Sequence, residues 1–154
     1  ILVPMAGEGS RFKEAGFLPE ALNNYMASLG WAAENGKEIM SMSELIKTFR
    51  LETVVSAAAN FDFGRLKWVN QKHLTQMSND ALAEKIVEIS PETDRVDKSR
   101  LILAIDLVKE RAETLLDFWA LMKYLFHAPE AFEEKAVVRL SEKSKVIFYP
   151  SFIK

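Results

Sequence analysis

Cations without nearby anions mark the stretch of this sequence best suited to electrostatic work on a ligand. In Asp62-Phe63-Gly64-Arg65-Leu66-Lys67-Trp68-Val69-Asn70-Gln71-Lys72-His73-Leu74, the cations Arg65, Lys67 and Lys72 have no acidic neighbour between Asp62 and Asp80. In a chain of formal net charge -2, such a segment is a local electropositive surface of the kind that holds a phosphate backbone. Short runs of like charge are also commonly plain solvated faces. Asn70, on the same helix, could bond a ligand or simply the neighbouring backbone. A second candidate is Arg111. Asp106, Lys109, Glu110 and Glu113 mark the solvated side of the helix expected around it, and Arg111 lies on the row with Leu103 and Leu107, at the edge of the apolar side. There its stem could cover apolar surface while its head reaches water, or its guanidinium could be held rigidly against a base edge. Gly7 and Gly9, followed by Arg11, could form a loop that brings backbone amides to a nucleotide's phosphates. Acid–base chemistry finds no support: Glu133-Glu134 and Glu110 with Glu113 are adjacent or one helical turn apart, as solvated charges are. His73 and His127 are the only imidazoles and make no metal motif, and there is no cysteine for thiolate chemistry or disulfides.

The elements that must position these groups are helices. A chain of 154 residues, 49% apolar and 27% charged, is enough for one ordinary soluble domain or two small ones sharing an interface. With no long apolar run and no signal peptide, a reducing, cytoplasmic setting is expected. Pro19 suits the first turn of a helix running to about Ser28, with Leu18, Leu22, Tyr25, Met26 and Leu29 on its apolar side and Gly30 as its stop. Ser41 and Glu44 have capping-box spacing, so a short helix should run from Met42 to about Phe49. Val54 to Ala59 reads as an extended connection into Asp62, the N-cap of the basic helix, whose inner side is Leu66, Val69, His73 and Leu74. Ser78-Asn79-Asp80 starts another helix and marks a subdomain boundary; Leu82, Ile86 and Ile89 give its buried side. Pro91 enforces a break before a helix from about Asp97 to Glu113, centred on Leu101, Ile105, Val108 and Ala112. A shorter helix follows Asp117, a last one covers roughly residues 131–143, and the apolar tail 146–153 should pack somewhere. The expectation is an all-α, multihelical protein of two packed helical subdomains, 12–77 and 78–154, after an N-terminal segment, 1–11.

Three separated motifs carry a family resemblance: Gly16-Phe17-Leu18-Pro19-Glu20-Ala21-Leu22-Asn23-Asn24-Tyr25, then Leu29-Gly30-Trp31, then Phe61-Asp62-Phe63 with Leu66-Lys67-Trp68-Val69-Asn70. In this order, with Gly36-Lys37-Glu38-Ile39 and the Ser41 to Phe49 segment between them, they resemble the part of bacterial-type glutamyl-tRNA synthetases that follows the catalytic domain. The likeness continues more loosely through Arg111-Ala112-Glu113-Thr114-Leu115-Leu116-Asp117-Phe118 and Tyr124-Leu125-Phe126 to about residue 145. Residues 1–17 are weakly similar to the start of sugar-phosphate nucleotidyltransferases. There, Leu18-Pro19-Glu20 puts an acid where that family has a lysine, and no alternation of strands and helices follows to build its parallel sheet.

The synthetase resemblance implies a stem-contact-like part at 12–77 and an anticodon-binding-like part at 78–154, truncated at its C-terminal side. It implies RNA recognition, with glutamate tRNA as partner and neither DNA nor membrane. Arg111, in its Arg-x-x-Thr-Leu context, would read the last anticodon base with help from Lys109, while Arg65, Lys67, Asn70 and Lys72 would hold phosphates and sugars. No catalytic residue is implied. The family's His-x-Gly-His and Lys-Met-Ser-Lys-Ser type signatures would lie before residue 12 and are absent, so ATP and magnesium would belong to the missing catalytic domain and the chain should be inactive alone. A nucleotide-binding fragment of a nucleotidyltransferase and a helical scaffold without ligand remain the alternatives.

Overall fold

The computed structural model describes residues 8–55 and 60–127, with side chains from residue 11 onward. Among the described residues every regular element is helical: α1 Glu8–Glu14, α2 Pro19–Ser28, α3 Met42–Thr48, α4 Phe63–Gln76, α5 Asn79–Ile89, α6 Lys98–Val108 and α7 Leu115–Met122, with short 3-10 turns at Leu51–Thr53, Pro91–Arg95 and Lys123–Leu125. The chain divides into two compact units, Ile1–Lys123 and Tyr124–Lys154. Of the second, only residues 124–127 are described, and everything below concerns the first. The expected helix at 131–143 and the apolar tail lie outside the described residues.

Several starts have a local cause. Ser41 and Glu44 form the expected capping box, Oγ of Ser41 accepting from the Glu44 amide (3.3 Å) and the Glu44 carboxylate from the Ser41 amide (2.9 Å). Asp62 accepts from the Arg65 amide at 3.0 Å, Ser78 from Ala81 at 3.3 Å, and Asp97 from Ser99 and Arg100 at 3.0 and 3.1 Å. Leu18, which has no capping side chain of its own, gives its amide to Oδ1 of Asn70 (2.8 Å), so α2 is capped from α4.

Helix α2 lies on α4 and α3, and α5 lies on α6 and α7. The first group buries Ala21, Tyr25, Leu66, Val69 and Leu74; the second buries Leu82, Ile86, Leu101, Ile105, Phe118 and Met122. They meet where the Leu115 amide donates to the Gly16 carbonyl (2.9 Å). Gly16 has φ +82°, and a Cβ there would stand 2.9 Å from the Leu115 nitrogen, so no other residue fits that approach.

Several expectations are corrected. Helix α6 ends at Val108, not Glu113: the amides of Arg111 and Ala112 both turn back to the Val108 carbonyl (2.8 and 3.2 Å), while the Asp117 carboxylate takes the amides of Glu113 and Thr114 (3.0 and 2.8 Å) and opens α7 at Leu115. Leu103 and Leu107 are 69% exposed, so their row is the solvent side of α6 and not the edge of its apolar face. Gly9 and Arg11 lie inside α1 and not on a phosphate-cradling loop, and Gly7 lies outside the described residues. On α2 the fully buried positions are Ala21, Asn24 and Tyr25, with Leu22 only half-buried, because the core closes around a polar Asn24. Among the described residues no helix is long and apolar enough to cross a membrane.

Candidate nucleic-acid interface

The cations of α4 do not stand alone in the folded chain. Arg65 donates Nη2 to Oε1 of Glu38 (2.7 Å), and its guanidinium lies 4.0 Å from the centre of the Trp68 ring. Lys67 places Nζ 2.9 Å from Oε2 of Glu113, and this hydrogen bond, with the charge behind it, raises its pKa. Both ion pairs remain substantially exposed, 37% and 46% for Lys67 and Glu113, so each holds by at most about 1 kcal/mol and a phosphate can displace its carboxylate. Lys72 is partly exposed and has no side-chain hydrogen bond or ion pair among the described residues.

Two of the expected RNA contacts bond within the protein. Asn70 is fully buried and faces inward: Oδ1 caps α2 and Nδ2 donates to the Glu113 carbonyl at 2.6 Å. Lys109 directs Nζ to the Met77 carbonyl (2.5 Å) and Oδ1 of Asn79 (3.1 Å), binding the end of α6 to the junction of α4 and α5. Its charge supports that junction.

Arg111 is exposed in the turn between α6 and α7, with no side-chain hydrogen bond or ion pair among the described residues. Nearby, Nε2 of Gln71 donates to the Glu110 carbonyl (2.9 Å). With Asn70 on the Glu113 carbonyl and Lys67 on its carboxylate, α4 therefore grips the turn on both sides of Arg111. Gln71 and Glu113 were not legible as site residues, since an isolated glutamine carries no positional signal and Glu113 reads as solvated charge.

A buried polar network lies behind the basic helix. Oδ1 of Asn24 accepts from the Met40 amide (2.9 Å) and faces Nε2 of His73 (3.0 Å), while Nδ2 donates to the Glu38 carbonyl (2.9 Å). Because that oxygen can only accept, the network assigns the proton to Nε2 of His73. Burial lowers the pKa of His73, partly offset by Glu20. A cleft of about 480 Å³ opens alongside, lined by Tyr25, Trp31, Lys37, Glu38, Asp62 and Arg65 among others. Its cations are already paired, Lys37 with Glu44 and Arg65 with Glu38. Among the described residues no three metal-ligating side chains converge.

Residues 5–68 match the family described as tRNA synthetases class I (E and Q), catalytic domain, and residues 73–148 match the anticodon binding domain family. The glutamate–tRNA ligase of Phocaeicola vulgatus is 36% identical over 134 residues, covering 86% of this chain and 26% of that protein. That of Flavobacterium johnsoniae is 34% identical over 142 residues, covering 92% and 28%. A crystal structure of a glutamate tRNA ligase from Elizabethkingia meningosepticum, in complex with its amino acid, superposes with a TM-score of 0.82 at 39% identity, over 90% of this chain and 28% of that one. The chain thus spans roughly a quarter of the length of these relatives.

Proposed function

We propose, from the premise that this chain belongs to the glutamyl-tRNA synthetase family, that it binds tRNA and performs no chemistry by itself. The observation that carries this reading is Arg111, an exposed guanidinium without a side-chain partner among the described residues, presented on a turn that a neighbouring helix grips. A guanidinium donates two parallel hydrogen bonds in a fixed fork and so can favour one base edge over another. Anticodon bases suit it because they lie in a single-stranded loop, where they can be unstacked and read on their pairing edges. Lys72, unpaired among the described residues, is the first phosphate contact. Lys67 and Arg65 become contacts when a phosphate replaces Glu113 or Glu38. The partner we assign is glutamate tRNA, and the setting is the cytoplasm. On this reading ATP and magnesium are not ligands of this chain.

The test is binding of transcribed glutamate tRNA, and of the same transcript changed only at the last anticodon base, to the parent chain and to Arg111→Gln. The variant should narrow the preference by about 1 to 3 kcal/mol, the usual worth of a two-bond base contact, with helix content unchanged by circular dichroism. Equal ratios in parent and variant would remove Arg111 from base reading.

A further inference from the structure

We propose that Gln71 is a positioning residue for Arg111, holding the 109–113 turn on α4 so that the guanidinium meets a base edge in one orientation. This role rests on the base-reading assignment of Arg111 above. The turn begins where α6 stops; the amides of Lys109, Arg111 and Ala112 still bond back to α6, but its carbonyls are past the helix ladder. Two of those carbonyls are held from α4. The Glu110 carbonyl, just before Arg111, accepts from Nε2 of Gln71, and the Glu113 carbonyl, two residues after, accepts from Nδ2 of Asn70. Arg111 is therefore the exposed span of a bridge with a helix-borne amide at each side.

Such bracing matters unequally for the two kinds of contact. A phosphate accepts a cation from many directions, whereas a base edge accepts the guanidinium fork in one plane. Loosening the bridge should erode discrimination between anticodons more than total affinity. Gln71 is the side chain on which this can be tested cleanly. It is half-buried, and its loss leaves the Glu110 carbonyl to water, whereas Asn70 is fully buried and also caps α2, so its removal threatens the fold.

The full chain and its variants Gln71→Ala, Gln71→Lys, Arg111→Gln and Gln71→Ala/Arg111→Gln are titrated with the two transcripts named above, and backbone 15N relaxation is recorded at Arg111. Gln71→Ala should narrow the anticodon ratio by about threefold to tenfold, the worth of one ordinary hydrogen bond, and lower the order parameter at Arg111 without moving the thermal midpoint by more than a few degrees. Gln71→Lys, which keeps an N–H donor, should restore much of the ratio. In the Arg111→Gln background, Gln71→Ala should have no further effect on it. If Arg111→Gln narrows the ratio and Gln71→Ala does not, the positioning role is wrong and base reading stands. If Arg111→Gln leaves the ratio unchanged, the reading beneath both is wrong. An unchanged order parameter at Arg111 in Gln71→Ala overturns the bracing, whatever the tRNA does.

Discussion

Lys72 and Lys67 lie on the same helix, yet among the described residues only Lys67 is already answered by a carboxylate. If each takes a phosphate, Lys72→Ala should reduce the slope of log affinity against log salt by about 0.7 to 0.9, the counterion release of one contact. Lys67→Ala should reduce it by less, since Glu113 already serves as the counterion of that lysine. Titrations at several salt concentrations check this; equal slopes in parent and Lys72→Ala would make Lys72 a solubilising charge. His73 gives a prediction on stability. Its pKa is lowered in the folded chain from an ordinary 6.5, so as pH falls the unfolded state takes up the proton first. The contribution is fully present above about pH 6.5 and declines as pH drops toward the folded value. Urea unfolding at about pH 7.5 and pH 5.5 should show a loss of stability that His73→Gln flattens. An equal loss in the variant would place the titration elsewhere.

Among the elements, α3 is the clearest case of a helix written in its own residues. Ser41, Glu44 and Lys37 close a small network in which the Lys37 hydrogen bond, then those of Ser41, bring the Glu44 carboxyl down to about 2. Its stabilising effect is complete above 4.5 and is lost as pH falls toward 2. Ser41→Ala should cost about 1 kcal/mol in urea unfolding at neutral pH, and no loss would mean that α3 is held only by Leu45 packing against Trp31 and Met40. The end of α6 is the opposite case. Val108 and Ala112 are both buried, so the apolar period runs on past the true end, and no glycine or proline marks the stop. Local bonds turn the chain there, Arg111 and Ala112 to Val108 and Asp117 to Glu113 and Thr114, and distant ones hold the turn in place: Lys109 to Met77, Gln71 to Glu110, Asn70 to Glu113. Arg111 was therefore recognisable as a candidate by type and context, while its support on a turn was not.

Across the whole first unit, the α2–α4 group and the α5–α7 group are joined at Gly16, where the left-handed backbone and the nearby Leu115 and Leu116 amides exclude a side chain. Gly16→Ala should destabilise the chain by at least about 2 kcal/mol, combining conformational strain with the clash, and should weaken tRNA binding with it. Denaturant unfolding with a midpoint equal to the parent's would show that the joint tolerates movement. The helical class, most starts and the core rows were determined by the sequence itself, because caps and apolar periods act over three or four residues and need no distant partner. Sequence alone also showed a basic helix free of acids from Phe63 to Asn79. Only tertiary structure decided what that helix faces, since Glu38 and Glu113, far away along the chain, fold onto Arg65 and Lys67, and Asn70 turns inward. Charge acts through space, and linear order sets it only as far as one helical turn.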